Sequence, residues 1–290
     1  MSQVGAGGPW KSLEDLLRHD PGQRKVAAFG RAGALRPASE ALAGAERVLI
    51  LTGFPVWSAS SVPRLVPESD GPPGACALGR ALVDLGATVD YVTDPRSGPL
   101  LRALGVATRV VDWSPQAAPA AAATLLRELN PTHLVAIELP GRSASGEYWS
   151  LRGEALATPA LDELLLVGAA LGVVTIGIGD GGNEAGLAFL KPDLERTLEF
   201  GSRIATVVPA DHALVAGVSN WAAWALVAGV SFVAGRDLLP SEEQARADLA
   251  ALAAAGAVDG ILKTHGLEVD GRPWEESAAA LAWARRALAE

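Results

Sequence analysis

Short runs of aliphatic and β-branched residues alternate along this chain with longer stretches that are rich in alanine and leucine. The short runs have the length and composition of buried strands, and they cover residues 47–52, 88–93, 108–111, 133–137, 173–178 and 204–208. The longer stretches have helical character, and they cover residues 75–85, 117–129, 159–171, 213–234, 242–255 and 274–288. This alternation predicts an α/β fold with a doubly wound, mostly parallel sheet flanked by helices.

The segment before the first predicted strand has a helical pattern. Leu13, Leu16 and Leu17 recur at helical spacing within residues 12–19. The rest of the chain contains neither an internal repeat nor a linker long enough to divide two domains. We therefore expect a helical N-terminal extension over residues 1–45 and one α/β domain over residues 46–290.

Charge and composition narrow the classes of function. The 290 residues carry a formal net charge of −9, which disfavours nucleic acid and anionic membranes because both need clustered Lys and Arg. Residues 211–232 are long and apolar, but they fit a buried helix better than a membrane span. The N-terminus lacks the basic patch and apolar run of a secretory signal. We expect a cytoplasmic enzyme that acts on a small molecule, with self-association into a homo-oligomer left open.

Residues 175–186, TIGIGDGGNEAG, contain the strongest functional signal. A buried strand ends there in glycines, two carboxylates and an amide. Ligands of open α/β sheets bind at the carboxyl ends of the strands. Asp180, Asn183 and Glu184 are therefore candidate site residues.

The same loop allows two other interpretations. Gly177, Gly179 and Gly182 satisfy the pattern G-x-G-x-x-G, in which a helix N-terminus holds a pyrophosphate. That match predicts a nucleotide-dependent enzyme, although an aspartate inside the loop would repel phosphate. In the plainest interpretation, Asp180 or Asn183 is the N-cap of a helix.

Carboxylates recur where predicted strands end. Glu138 and Asp180 follow two buried runs, whereas Asp94 and Asp112 are more easily explained as turn residues. Acids that converge on one rim attract a cation or an amine. The pattern therefore predicts a divalent ion, Mn²⁺ or Mg²⁺, held by Glu138 and Asp180, or a substrate ammonium group bound there.

Two further segments place polar groups beside predicted helices. Asp70 and Gly71 precede the helix at 75–85, so amides there would face an anionic substrate group, and Asp70 is a metal ligand, a water-orienting group or a turn residue. Ser219 and Asn220 lie in an otherwise apolar stretch. Buried polar groups need partners, so these two should meet backbone, water or ligand.

The polar loop 138–156 is longer than a routine connection, and long ordered loops are often functional. It contains two arginines. Arg152 is the candidate clamp for a substrate carboxylate, which a guanidinium binds through two parallel hydrogen bonds. Arg142 is expected to be a solvated surface residue.

Five motifs together resemble one known family. They are LTGF at 51–54, SDGPPGA at 69–75, the loop 138–153, IGIGDGGNE at 176–184 and AGVSNW at 216–221. In this order they are similar to the C-terminal domain of the D-glutamate cyclase family. The resemblance implies a lyase that removes water from D-glutamate to form 5-oxo-D-proline.

Roles for the candidate residues follow from the chemistry of ring closure. A base must take the ammonium proton, and Asp180 or Glu184 is the candidate. The charge on the attacked carboxyl must be offset, either by the divalent ion or by the amides of Gly181 and Gly182. Arg152 would hold the α-carboxylate. Two other functions stay open: a small-molecule binding or regulatory protein without turnover, and a nucleotide-dependent enzyme.

Overall fold

The computed structural model describes residues 8–290. The strands in that range are β1 (Arg47–Thr52), β2 (Pro55–Trp57), β3 (Leu65–Pro67), β4 (Thr88–Thr93), β5 (Thr108–Val110), β6 (His133–Ile137), β7 (Val174–Gly179) and β8 (His212–Val215). The α-helices in that range are α1 (Gly8–Arg18), α2 (Leu35–Ala43), α3 (Pro72–Asp84), α4 (Gly98–Ala103), α5 (Ala118–Leu129), α6 (Glu163–Ala170), α7 (Lys191–Thr197), α8 (Gly201–Ile204), α9 (Ser219–Ala234), α10 (Glu242–Ala254) and α11 (Trp274–Ala287).

Six strands form one parallel sheet in the order β5-β4-β1-β6-β7-β8. The chain builds outward from β1 in one direction and then returns to build outward in the other. This reversal makes the boundary between β1 and β6 the topological switch point, beside which doubly wound folds bind ligands. The predicted fold class is confirmed.

The alternation of side chains along each strand builds a separate core on each face of the sheet. In β1, Val48 and Ile50 pack with α3 and α9, whereas Leu49 and Leu51 pack with α5 and α6. Helix α9 contacts α1, α2, α3 and α11, and residues 219–231 are buried around the whole circumference of the helix, which explains why that part of it is almost entirely apolar. Within the described range, no helix has both the length and the apolar character required to cross a bilayer.

The last strand differs from the prediction. Residues 204–208 do not join the sheet; the amide of Thr206 donates to Gly182 O and that of Val207 to Arg142 O. The sixth strand is β8, which the sequence pattern had assigned to the start of the helix at 213–234. A buried parallel strand is continuously apolar, so periodicity could not separate β8 from α9, which follows it after a short break.

The hairpin of β2 and β3 was not predicted, because each strand is only three residues long. It follows β1 directly and stands beside the carboxyl edge of the main sheet. Its first residues therefore border the same region as the loops that follow the parallel strands.

The N-terminal segment is helical, as expected. Helix α1 packs on α9 and α11, and α2 packs on α9. The carboxylate of Glu14 accepts a hydrogen bond from the amide of Leu35 (3.0 Å), which links α1 to α2. The division at residue 45 stays a prediction, and the first seven residues of the predicted extension lie outside the described range.

Candidate active site

A cavity of about 330 Å³ opens at the carboxyl edge of the sheet, next to the switch point. Its walls come from the ends of β1, β6 and β7, from the β2–β3 hairpin, from the loop between α10 and α11, and from the loop between α1 and α2. The lining residues that carry charge are Arg24, Glu68, Glu138, Arg152, Glu154, Asp180, Glu184, Lys263 and Asp270. An apolar wall faces them, formed by Phe54, Val56, Trp57, Leu151 and Ile261.

Glu138 directly follows β6 and has a left-handed backbone (φ 45°), an unusual conformation for a residue with a side chain. Ser219 Oγ donates to its Oε2 at 2.5 Å. Gly71, with φ 96°, lies against it, and a Cβ at that position would be 2.6 Å from the Cβ of Glu138. Gly71 therefore makes room for Glu138 at the edge of the cavity.

The loop after β7 is closed by its own glutamate. The carboxylate of Glu184 accepts hydrogen bonds from the amides of Gly181 (2.8 Å) and Gly182 (2.7 Å). These two amides donate to Glu184 inside the loop, so they could meet an oxyanion only by giving up those hydrogen bonds. The same contacts place a carboxylate, and not a phosphate, against these two glycine amides.

The glycine pattern has a packing explanation instead. Gly177 and Gly179 lie within β7, and a Cβ at either one would come within 2.8 Å of the folded-back loop at Gly186 or Glu184. The residues after Glu184 turn through irregular structure and a short 3₁₀ helix instead of starting an α-helix. The arrangement therefore differs from a dinucleotide-binding loop, and neither Asp180 nor Asn183 caps a helix.

We call the buried carboxyl groups that line the cavity, those of Glu68, Glu138, Asp180, Glu184 and Asp270, its floor. Within it, Asp180 forms an ion pair with Arg24. The same guanidinium binds Asp270 through two contacts, Nη2 to Oδ1 at 2.7 Å and Nη1 to Oδ2 at 3.2 Å. Asn183 is buried nearby and donates from Nδ2 to Trp149 O (2.7 Å), while its Oδ1 has no partner within the described chain. This unpartnered oxygen belongs to a residue that lines the cavity.

Asp70 is buried behind the cavity-lining residues Asp180 and Asp270 and does not itself line the cavity. Its carboxylate accepts hydrogen bonds from the amides of Ser219 (2.8 Å) and Asn220 (2.8 Å) at the start of α9, and from Gly71 (3.0 Å). The side chain of Asn220 in turn accepts from the amides of Gly71 (3.1 Å) and Gly74 (2.8 Å). The amide of Gly71 is thus engaged by two side chains and could meet a substrate anion only by giving up those contacts. Asn220 is satisfied by backbone, and Ser219 by Glu138.

The two arginines of the loop after β6 have different environments. Arg152 is exposed and lines the cavity, in agreement with a position from which it can meet a substrate carboxylate. Arg142 is not solvated as expected, because it binds Asp162 through Nε (2.8 Å) and Nη2 (3.0 Å) and also contacts Glu163. Tyr148 OH donates to the same Asp162 at 2.6 Å, so this network anchors the loop that carries Arg152.

The buried carboxyl groups perturb one another. Burial raises the pKa of Glu68 and Glu138 well above the ordinary carboxyl range, and neighbouring carboxylates raise it further. Burial also raises the pKa of Asp180, against the opposing effect of Arg24. Although burial alone would raise the pKa of Asp270, Arg24 holds it below its usual value. Groups with pKa values moved toward neutrality can exchange protons at physiological pH.

Two sets of oxygens meet the distance requirement for a metal ion. One ligand atom from each of Glu138, Asp180 and Glu184 lies within 4.8 Å of the others, and the same holds for Asp70, Asp180 and Asp270. The second set is already neutralised by Arg24 through two of its members. The first set therefore fits a hard divalent cation better, because carboxylate oxygens are the ligands such ions prefer.

Besides Glu154, which belongs to the same loop as Arg152, sequence reasoning missed four charged residues that line the cavity: Arg24, Glu68, Lys263 and Asp270. Glu68 belongs to the same segment as Asp70, and its nearness to that motif was the available signal. The other three lie in irregular loops at either end of the chain, where no strand end or glycine pattern marks them. Burial lowers the pKa of Lys263, whose side chain contacts Gly260 O.

Two comparisons with known proteins match this chain over most of its length. The family model described as "D-glutamate cyclase-like, C-terminal" matches residues 13–283. The mitochondrial D-glutamate cyclase of Homo sapiens is 31% identical over 321 residues, an alignment that covers 96% of this chain and 52% of the human protein. The chain thus spans about half the length of that curated relative. A crystal structure of an exopolyphosphatase-related protein from Bacteroides fragilis covers 89% of this chain and 57% of its own, with 11% identity and a TM-score of 0.38, a similarity too low to support an argument.

Proposed function

The chain belongs to the D-glutamate cyclase-like family, and on that premise we propose that it closes D-glutamate to 5-oxo-D-proline with loss of water. The observation that carries the proposal is the distribution of charge in the cavity. Buried carboxyl groups form its floor, and the exposed Arg152 stands at its rim. A zwitterionic amino acid with a second carboxylate matches this distribution, with the ammonium group toward the floor and a carboxylate toward the rim.

The reaction balances without an external reagent. The α-nitrogen attacks the γ-carboxyl carbon, a C–N bond forms, and one C–O bond of that carboxyl breaks. The ammonium group gives up two protons in total, and the departing oxygen takes up both to leave as water. The site therefore needs a group that accepts a proton from nitrogen and returns it to oxygen, which suits a carboxyl whose pKa has been raised.

Glu138 is the residue we assign to this transfer. Glu184 is engaged with two backbone amides, and Asp180 is paired with Arg24. Glu138 instead lines the cavity and receives one side-chain hydrogen bond, from Ser219 Oγ. Asp180 and Glu184, the bases predicted from sequence, then keep supporting roles in shaping the floor.

A divalent ion fits the same floor. Glu138, Asp180 and Glu184 would hold it, since one ligand atom of each lies within 4.8 Å of the others, and Asp180 Oδ2 would share its charge between the ion and Arg24, its ion-pair partner. When bound, the ion would offset the charge that develops on the attacked carboxyl, a role that the loop amides could fill only by giving up their hydrogen bonds to Glu184.

The rim is proposed to hold the α-carboxylate. Arg152 makes no ion pair within the described part of the chain, so its guanidinium is available to a ligand. Lys263 lines the same cavity and adds a second positive charge. A binding or regulatory protein without turnover would use the same contacts, whereas a nucleotide-dependent enzyme finds no support in the geometry of the loop after β7.

The test is proton NMR of the purified protein with D-glutamate and, separately, L-glutamate, each with and without Mn²⁺ or Mg²⁺. We expect 5-oxoproline from the D isomer, and a loss of at least about 100-fold in the rate for Glu138→Gln. Glu147→Gln is the matched control, because Glu147 is an exposed glutamate of the loop after β6.

Three outcomes would contradict parts of the proposal. Product from L-glutamate alone would show that the substrate is the L isomer instead of the D isomer. Full turnover in Glu138→Gln would show that a carboxyl other than Glu138 transfers the proton. Thermal stabilisation by D-glutamate without product would establish the binding function in place of the lyase.

A further inference from the structure

Arg24 comes to the cavity from outside the α/β sheet. It lies in the loop between α1 and α2, and its side chain crosses to the floor, where only 16% of it is exposed. There it pairs with Asp180, in the loop after β7, and with Asp270, in the loop between α10 and α11. The guanidinium therefore ties three distant segments together at one point of the site.

The backbone around Arg24 is held in an unusual conformation. Gln23 (φ 54°) and Lys25 (φ 67°), which flank it, are both left-handed, although neither is glycine. The carboxylate of Asp20 stabilises this turn by accepting hydrogen bonds from the amides of Arg24 (3.2 Å) and Lys25 (2.7 Å). Backbone strain of this kind persists where the surrounding structure enforces it, and it is concentrated at functional sites.

The motif AGVSNW at 216–221 packs against the turn that carries Arg24. Gly217 packs against the backbone of residues 19–20, and a Cβ on it would be 2.2 Å from the carbonyl oxygen of His19. The imidazole of His19 stacks on Trp221 with ring centroids 5.8 Å apart and an interplanar angle of 13°. Ser219 of the same motif donates to Glu138, so one motif both contacts a cavity carboxylate and positions the segment that carries Arg24.

The charges around Arg24 explain why this placement matters. Asp70, Asp180 and Asp270 each bring an oxygen within 4.8 Å of the others, and Glu138 is nearby on the same floor. Carboxylates packed this closely repel one another in a low-dielectric interior. A cation between them keeps Asp180 and Asp270 in place and leaves the remaining carboxyls to the substrate.

We propose that Arg24 is a positioning residue of this active site, which fixes Asp180 and Asp270 so that the segment before β1 is a working part of the site. The inference rests on the proposed function for its kinetic readout. It does not depend on that function for its binding readout, because removal of Arg24 frees the aspartate cluster for another cation.

The experiment compares Arg24→Gln, Arg24→Lys and the double variant Arg24→Gln/Asp270→Asn in the full chain. Arg36→Gln is the matched control, since Arg36 lies in the same N-terminal segment and pairs with Glu40 on the surface. Turnover of D-glutamate gives kcat and KM. Electron paramagnetic resonance of free Mn²⁺ gives the affinity for a divalent cation.

For Arg24→Gln we expect kcat to fall about 100-fold, because displacement of the floor carboxylates by about an ångström is enough for such a loss. We expect Arg24→Lys to recover part of it, since an ammonium group keeps the charge but not the two-point contact. Mn²⁺ should bind Arg24→Gln about tenfold more tightly than the unaltered chain, because the cluster has lost its resident cation. The double variant, which removes one carboxylate charge as well, should regain turnover and lose the extra Mn²⁺ affinity.

Unaltered turnover and unaltered Mn²⁺ affinity in Arg24→Gln would overturn the proposal, as would a double variant no better than the single one. If Arg24→Gln does not fold, the double variant and Arg24→Lys decide the matter by the same two readouts. A chain that never converts D-glutamate would disprove the proposed function, while the Mn²⁺ measurement would still decide the role of Arg24.

Discussion

Asp70 and Asn220 cap each other's helices. The carboxylate of Asp70, just before α3, accepts hydrogen bonds from the first amides of α9, and the side chain of Asn220, in the first turn of α9, accepts from two amides at the start of α3. The two segments are 150 residues apart in the chain. Their reciprocal capping fixes the positions of Gly71 and Ser219, both of which contact Glu138.

The first prediction concerns this pair. Asp70→Ala leaves buried amides of α9 without an acceptor, so we expect the free energy of unfolding to fall by roughly 2–4 kcal/mol. Denaturant unfolding measures it. Ser241→Ala is the control, because Ser241 is an exposed N-cap of α10 and its loss should cost only about 1 kcal/mol. Equal losses in the two variants would contradict the structural role of Asp70.

Gly217→Ala tests the contact between Gly217 and the turn that carries Arg24, without altering any residue that lines the cavity. The added methyl group would clash with the backbone at His19 and displace Arg24, so we expect turnover to fall in the same direction as in Arg24→Gln. Gly44→Ala is the control, since no atom lies within 4 Å of a Cβ at that position. Steady-state kinetics measure the turnover of both variants. Full activity in Gly217→Ala would show that the motif does not position Arg24.

Arg152→Ala should weaken substrate binding more than catalysis. Arg152 is exposed and unpaired within the described residues, so its removal should leave stability unchanged. Loss of a charged hydrogen bond to the α-carboxylate should raise KM about tenfold or more with little change in kcat. Arg109→Ala, on the distant edge strand β5, serves as control. A normal KM in Arg152→Ala would indicate that Lys263, and not Arg152, binds the substrate carboxylate.

Stability should increase on mild acidification. The folded-state pKa values of Glu68, Asp70, Glu138 and Asp180 are raised, so above the ordinary carboxyl range the folded chain binds more protons than the unfolded chain. The contribution of these four groups to the free energy of unfolding then increases as the pH falls from about 8 toward about 6, while the lowered pKa of His133 acts in the opposite direction only as the pH falls through the ordinary histidine range. The lowered pKa of Asp270 has no effect in that range, because its contribution changes only below the unfolded value.

Thermal unfolding at the two pH values measures this effect. Glu68→Gln should flatten the dependence, because it removes one of the groups whose pKa is raised by burial. Glu147→Gln should leave it unchanged. A melting temperature that decreases on acidification would show that these carboxyls are not destabilised by burial in the folded chain.

Cys76 provides a probe of global unfolding. It is the single cysteine of the sequence, it is fully buried in α3, and burial raises the pKa of its thiol to about 12. We expect a thiol reagent to modify it only when the chain unfolds. Mass spectrometry after pulses of reagent at increasing urea concentration should give the same midpoint as circular dichroism. Rapid modification without denaturant would contradict the buried position.

Local sequence determined the fold class and the edge of the sheet where the site lies. The bounds of β1, β4 and β6 follow directly from their apolar runs, because a strand's period depends only on neighbouring residues. The glycines and acids after β7 marked the correct end of that strand for the same reason. Strand β8 was not predicted from the sequence, because a buried strand and a buried helix are both apolar throughout.

The tertiary structure alone decided which of the marked residues face the cavity. Asp70 accepts hydrogen bonds from helix amides and does not line the cavity, whereas Glu184 lines it while its carboxylate also accepts from the amides of its own loop. Arg24 and Asp270 carry no local signal, yet they complete the floor. The physical reason is that a hydrogen bond or an ion pair depends on distance in space. Loops separated by more than a hundred residues become neighbours only after the sheet has ordered its strands.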